Sequence, residues 1–376
     1  MSKPIYLDYA ATTPIAPSVA EVMLLQLQAV GNASSLSHAY GRQAKDAVEL
    51  AREQVATLIN AEPQEIIFTS GATESINLAL KGAAQLYQRQ GKHIITLKTE
   101  HKAVLDTCFE LEKIGYNVTY LSPESNGVLD IEKLKAALRD DTILVSILHV
   151  NNETGVIQDL ASIAEITSAR GILLHVDAAQ SVGKIPCDVR AIPLDLMSLN
   201  AHKLYGPKGV GALYMRRKPR VRVAPQIHGG GQEQGMRSGT LAVHQIAGMG
   251  ACYALAQGCM QDDALKVKAL RDLFWEEIKT FPGVACNSDL ENSYPGIINV
   301  SFADIASDTF MKDLPELAVA AGSACTSKGV EPSYVLRAMG YKESCAKTAI
   351  RFSWGRYTTP DEIQRALHHI RSYLQI

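Results

Sequence analysis

The sequence predicts an α/β protein, because short apolar runs recur along the chain, a small or polar turn follows each, and a helical pattern follows the turn. At 376 residues the chain exceeds one typical domain of about 100–200 residues, so two domains sharing an interface are expected. Hydrophobic residues make up 47% and charged residues 20%, a balance that supports a sizeable core and excludes a disordered or fibrous chain.

Four strands are expected from apolar runs: Ile66-Ile67-Phe68, His93 to Leu97, Ile143 to Val150 and Ile172 to Val176. They lead to Gly71-Ala72-Thr73, His101, Asn152 and Asp177 respectively, and a fifth, weaker run from Leu194 to Leu199 leads to Asn200-Ala201-His202-Lys203. Ligands of such sheets sit beyond the carboxyl ends of the strands, so these polar groups can surround one aromatic cofactor. A helix is expected from Gln43 to Ile59, where Ala47, Val48, Ala51, Val55, Leu58 and Ile59 fall on one face. A domain boundary is expected near residue 255, where a helical stretch of small residues gives way to a charged helix from Asp262 to Thr280.

Lys plus Arg is 37 and Asp plus Glu is 39, so a net charge of −2 gives no general drive toward nucleic acid or anionic membrane. The basic run Arg216-Arg217-Lys218-Pro219-Arg220-Val221-Arg222 has no interleaved aromatics to stack on bases, and reads as a solvated loop or a dock for an acidic partner. The N-terminus lacks an apolar targeting core and no stretch approaches the ~18 apolar residues of a membrane span, so a cytoplasmic location is expected. Seven cysteines, with no CxxC pair, signal neither a disulfide framework nor a zinc site.

Phe68-Thr69-Ser70-Gly71-Ala72-Thr73-Glu74 has the form strand, glycine turn, helix start, which offers N–H donors and a positive dipole to a phosphate; Ser/Thr beside Gly is equally an ordinary helix cap. Asp177 follows a buried strand, where a carboxylate is costly unless it meets a cation such as a protonated pyridine nitrogen; capping the next turn is the other reading. Lys203 precedes the glycine-rich Tyr205-Gly206-Pro207-Lys208-Gly209-Val210-Gly211. Turned inward and desolvated, it is a nucleophilic amine able to form a Schiff base, whereas turned outward it is one more surface lysine. Cys325 lies in the small-residue run Gly322-Ser323-Ala324-Cys325-Thr326-Ser327, which suits an accessible thiol, although a free cysteine is also a small buried hydrophobe.

Taken in order, Leu7-Asp8-Tyr9-Ala10-Ala11-Thr12-Thr13-Pro14, Ser70-Gly71-Ala72-Thr73-Glu74, Thr99-Glu100-His101, His149-Val150-Asn151-Asn152-Glu153, Asp177 with Gln180, His202-Lys203 and Gly322 to Ser327 resemble the cysteine desulfurases. The likeness runs from Tyr6 to about Thr359, and the cysteine-bearing run points to the IscS and NifS types. The resemblance implies a fold-type-I pyridoxal-phosphate transferase and a homodimer. It implies a large domain (15–255) with a mostly parallel sheet and a smaller α/β domain (1–14 with 256–376) that carries the cysteine loop. By motif, Lys203 would bear the pyridoxal 5'-phosphate, His101 would stack on its ring, and Asp177 and Gln180 would contact the pyridine nitrogen and the phenolic oxygen. Asn152 would lie beside the ring and the substrate, Ala72, Thr73 and, beside Lys203, His202 would complete the cofactor site, and Thr240 would reach the phosphate of the other subunit. Arg351 would clamp the carboxylate of the substrate. Asn200 stands where the family usually has a phosphate-binding serine, and an amide N–H can still donate there.

The implied reaction converts L-cysteine to L-alanine, with Lys203 as base, His101 relaying protons and Cys325 holding the sulfur as a persulfide for acceptor proteins such as an iron–sulfur scaffold. A selenocysteine lyase or a class-V aminotransferase is the alternative within enzymes, and a catalytically inactive sulfur-transfer partner is the alternative outside them. Neither G-x-G-x-x-G nor a Walker pattern is present, which speaks against a nucleotide-binding protein. Cys345 also merits a test as a thiol. The chain ends at Ile376, sixteen residues after Pro360, and many IscS-type relatives continue further, so weaker scaffold docking, or docking through the basic run, is expected.

Overall fold

The computed structural model describes residues 3–322 and 332–376. After a short strand β1 (Ile5–Tyr6), seven strands form the main sheet: β2 (Ile66–Thr69), β3 (His93–Leu97), β4 (Asn117–Leu121), β5 (Thr142–Leu148), β6 (Leu173–Asp177), β7 (Leu196–Asn200) and β8 (Gly211–Met215). Their order is β2-β8-β7-β6-β5-β3-β4, parallel from β7 through β6, β5 and β3 to β4; β8 pairs antiparallel with both β2 and β7. Strands β5, β6 and β7 are buried along their whole length, as a sheet covered on both faces requires, and the continuous apolar runs are the sequence trace of that burial. Because β8 alone is reversed, the ends of β2, β3, β5, β6 and β7 that carry the polar residues open on one edge.

The helices of this half are α1 (Pro17–Gln28), α2 (Ala39–Leu58), α3 (Ala72–Tyr87), α4 (Lys102–Lys113), α5 (Ile131–Ala137), α6 (Leu160–Ala169) and α7 (Val243–Ile278). Along α2, Ala44, Val48, Ala51 and Val55 recur at three and four residues and face the core. The same face carries buried Arg52, whose guanidinium is paired across 181 residues of sequence with Glu233 at 2.7 Å and donates to the Ile66 carbonyl at 2.7 Å.

The expected break near residue 255 is not a break in the backbone: α7 is a single helix of 36 residues, about 54 Å long at 1.5 Å per residue. Its small-residue half lies against α1 and α2, and a Cβ on Gly250 would stand 2.5 Å from the Ala51 Cα, so small residues there permit close helix packing. Ile246, Met249, Cys252, Tyr253 and Ala256 belong to the core under the main sheet, whereas Val267, Leu270, Phe274 and Ile278 belong to a second core. That second core is built on the four-stranded antiparallel sheet β12-β13-β10-β9, from β9 (Val284–Cys286), β10 (Ile297–Phe302), β12 (Ala320–Ala321) and β13 (Ala349–Ser353), and it also holds Ile5, Leu7 and Ala10 from the start of the chain. β1 pairs in parallel with β11 (Leu317–Ala318), which ties the N-terminal segment to this half.

Candidate active site

A cavity of about 1160 Å³ opens where the strand ends of the main sheet meet the second half of the chain. Ala72, Thr73, His101, Asn152, Asp177, Gln180, Asn200, His202, Lys203 and Arg351 all line it. Thr240 does not; it is exposed on the loop before α7. Cys325 lies outside the described residues, while Gly322 and Pro332, which bracket that stretch, both line the cavity.

Each wall follows from local structure. At the end of β2 the cap of α3 is Gly71, which has no side chain to occupy the first-turn N–H groups, so the ordinary Ser/Thr cap weighed from sequence is absent and those donors face the cavity. At the end of β3, His101 caps α4: its Nδ1 accepts from the Ala103 N–H at 3.1 Å, which leaves the proton of the neutral ring on Nε2. Burial lowers its pKa, with Asp177 opposing and Lys203 reinforcing the shift, which favours the neutral imidazole. Beyond β5, Asn151 donates to the Thr99 carbonyl at 3.0 Å while its Oδ1 accepts the Glu153 and Thr154 N–H groups at 2.9 Å, a local turn around Asn152, which lines the cavity.

Asp177 ends β6: Oδ1 accepts the Ala179 N–H at 2.9 Å, the capping role open in its sequence, and the residue also lines the cavity. Gln180 donates from Nε2 to the Ala10 carbonyl at 2.7 Å. After β7, Asn200 is buried beneath the turn, its Nδ2 3.4 Å from the Ala179 carbonyl, and His202 sits 3.2 Å from the Thr12 hydroxyl. Burial first, and then Lys203, Lys208 and Lys184, push His202 down to about 4.

Lys203 lies on the cavity floor between unlike neighbours. Burial lowers its amine to about 8, with Asp177 and Asp8 opposing the shift and Arg351 reinforcing it. Arg351, on β13, reaches across from the second half; its Nη2 meets the Asp8 carboxylate at 2.7 Å and its Nη1 donates to the Asn152 carbonyl at 2.8 Å. The residue thereby joins three segments far apart in sequence.

Several residues of this site were given no role in the sequence. Asp8 orients Arg351, and Glu153 is buried, hydrogen-bonded to Ser333 and pushed up to about 7 by burial, with Ser333 and Arg351 opposing. Both stand inside the motif runs, and nearness to those polar segments was the signal available. Glu100 accepts the Leu148 N–H at 2.7 Å, and burial, reinforced by the Asp177 charge and opposed by that bond, pushes its carboxyl well above the usual carboxylate range. Cys345 stands apart from the cavity, its thiol 3.2 Å from the Ser301 hydroxyl.

The donor set fits pyridoxal phosphate. It combines a desolvated lysine, an acid at the end of the neighbouring strand, an uncapped helix N-terminus and a neutral histidine around one cavity. Asn152 Oδ1 and Arg351 Nε are buried with no hydrogen-bond partner among the described residues, and both belong to cavity-lining side chains, as polar ligand groups require.

Comparison with known proteins gives the same assignment. Residues 5–366 match the family described as Aminotransferase class-V. Cysteine desulfurase IscS of Klebsiella pneumoniae is 57% identical over 374 residues, covering 99% of this chain and 93% of that protein. Among solved structures, a NifS-like protein superposes with a TM-score of 0.93 at 37% identity over 99% of each chain. A protein named SspA, solved in complex with cysteine, superposes at 0.83 with 38% identity over 94% of this chain and 99% of its own. With its parallel sheet, its lysine at a strand end and these relatives, the chain belongs to the class-V aminotransferase family, in the branch of the cysteine desulfurases.

Proposed function

We propose that this protein is a pyridoxal-phosphate-dependent cysteine desulfurase that converts L-cysteine to L-alanine and holds the sulfur as a persulfide on Cys325 for iron–sulfur cluster assembly. The observation that carries the reading is Lys203 on the floor of a cavity it shares with Asp177, His101 and Arg351.

Lys203 would bear the cofactor, Asp177 and Gln180 would hold the ring edge, His101 and Asn152 would flank it, and Ala72, Thr73, His202 and Asn200 would bind around its phosphate end. When bound, the cofactor supplies an electron sink for the carbanion at the substrate Cα. The chain supplies the rest. With Nη1 and Nη2 each held by a protein oxygen, the planar guanidinium of Arg351 keeps a fixed orientation in which to receive the cysteine carboxylate. Lys203, lowered to about 8, is neutral often enough near physiological pH to take the Cα proton as base. Neutral His101 keeps its Nε2 proton for transfer within the cavity. The Cys325 thiolate attacks the substrate sulfur, an S–S bond forms as the C–S bond breaks, and the electron pair of that bond passes to carbon, which is protonated to give alanine.

Two domains, 15–255 and 1–14 with 256–376, are proposed on the strength of the two cores that share α7. A homodimer is supported by apolar side chains left exposed near the start of the chain, Leu24, Leu25, Leu27 and Val30, and by Thr240 being exposed and outside this chain's own cavity. Acceptor proteins would approach the rim at Gly322 and Pro332, and the cytoplasm is the proposed setting for a thiol that must stay reduced. None of the described helices is long and apolar enough to cross a membrane.

Borohydride reduction of the purified yellow protein followed by mass spectrometry should place the adduct on Lys203, and L-cysteine should yield alanine and persulfide in equal amounts. An adduct on another lysine, or alanine formed without persulfide, refutes the assignment.

A further inference from the structure

Lys184 has no place in the reaction above, yet its surroundings are unusual for a lysine. Its Nζ donates to Gln180 Oε1 at 2.8 Å and lies 5.5 Å from the centre of the Tyr294 ring. No carboxylate lies within 4 Å of it among the described residues, and the charged groups that act on it are both cations, Lys203 and Arg351. Burial, then those two charges, lower its amine to about 7. Lys184 is half-buried, and a cation there with no acid beside it and two cations nearby is disfavoured relative to water.

The backbone around it is built to hold that position. Lys184 ends a tight turn after β6, with its N–H on the Ser181 carbonyl at 3.0 Å. Gly183 takes φ 69° there, and a Cβ at that position would stand 2.6 Å from the Leu204 side chain. On the other side a Cβ on Gly296 would come within 2.3 Å of the Tyr294 ring, so the aromatic wall beside the amine also depends on an absent side chain.

We infer that Lys184 is a positioning residue that fixes the amide of Gln180, so that Gln180 presents an N–H and never its carbonyl oxygen to the cofactor ring. The two ends of the amide are set by unlike partners: Oε1 accepts from Lys184 and Nε2 donates to the Ala10 carbonyl at 2.7 Å. Turning the amide over would set its oxygen against the Ala10 carbonyl oxygen whatever the charge on Lys184, and its NH₂ against the ammonium whenever Lys184 is protonated. One Nε2 hydrogen remains after Ala10 is satisfied, and the hydrogen bond from Lys184 polarises the amide so that this hydrogen is a stronger donor. An oxygen that is negatively charged on the ring is the group such a donor selects.

The inference rests on the proposed role of Gln180 toward the cofactor and is tested by a double-mutant cycle on cofactor affinity, read by the visible band on titrating apo-protein with pyridoxal phosphate. Lys184→Met should weaken binding about tenfold, the scale of one hydrogen bond to a charged group, and Lys184→Arg should restore most of it. In the Gln180→Leu background the same Lys184→Met change should alter affinity less than twofold, because there is no amide left to orient. Equal losses in both backgrounds would mark Lys184 as a packing residue and overturn the inference, as would no loss in either. Should Lys184→Met not fold, Lys184→Gln runs the same cycle. Wild-type protein that develops no visible band would overturn the functional reading together with this one, whereas a normal band with an additive cycle overturns this one alone.

Discussion

The amine of Lys203 sets a pH dependence that the structure fixes in sign and size. At an unperturbed value near 10.5, about 0.03% of a lysine is neutral at pH 7, whereas at about 8 the neutral fraction is about 9%, an increase of roughly three-hundredfold. Only the neutral amine attacks an aldehyde, so the rate at which apo-protein takes up pyridoxal phosphate should rise close to tenfold between pH 6 and pH 7 and flatten above pH 8. Stopped-flow absorbance across pH 5.5–9.5 measures this directly. Burial depresses the value while the Asp177 charge partly restores it, so Asp177→Asn should move the midpoint below that of the wild type. A rate that keeps climbing to pH 9.5, or a midpoint that rises in Asp177→Asn, would refute the assignment of the desolvated amine to Lys203.

Cys325→Ser should retain the visible cofactor band and the spectral response to L-cysteine while persulfide formation, followed by cyanolysis, falls to background. Gly211→Ala should lower the melting temperature and weaken cofactor binding together, because the added Cβ would stand 2.5 Å from the Leu199 carbonyl oxygen and 2.6 Å from the Gly71 Cα at the start of α3, an overlap with backbone on both sides that costs on the order of 1–3 kcal/mol. For the basic run, Arg217, Arg220 and Arg222 are exposed whereas Arg216 is paired with Asp195 at 2.5 Å. Neutralising the three exposed arginines should weaken association with an acidic scaffold and flatten its salt dependence, by calorimetry at two ionic strengths, while neutralising Arg216 should chiefly cost stability.

What could be read from the sequence was decided by locality. Each apolar run that became a central strand is continuous and ends within a few residues of its functional side chain, so Asp177 after β6 and Lys203 after β7 were visible as strand-end groups. The strand, glycine turn and helix start before α3 were legible for the same reason, although the cap proved to be glycine alone. Pairings made across the fold were not legible. Arg52 and Glu233 are 181 residues apart, Asp8 and Arg351 are 343 apart, and neither member of either pair carries a local mark of its partner. Lys184 was missed because a lysine four residues beyond Gln180 has the spacing of any helical surface, and only tertiary packing turns it inward. The boundary near residue 255 was a real change of composition, but the change marks which core each half of α7 serves, and helix propensity continues through it.

That continuity of α7 has a mechanical consequence. A rod embedded in both cores transmits rotation of one half directly to the other, and a hinge inside it would sacrifice several consecutive N–H···O=C bonds with no proline present between Val243 and Ile278 to localise the bend. Rocking of the two halves about the cavity is therefore disfavoured at its most obvious pivot. Arg351 reinforces this by bracing Asp8 and Asn152 across the mouth of the site. The frame is thus stiff around the cavity, whose lining takes Asp8 and Arg351 from the second half and Asn152 and Lys203 from the first, so the two halves hold one fixed relative setting there.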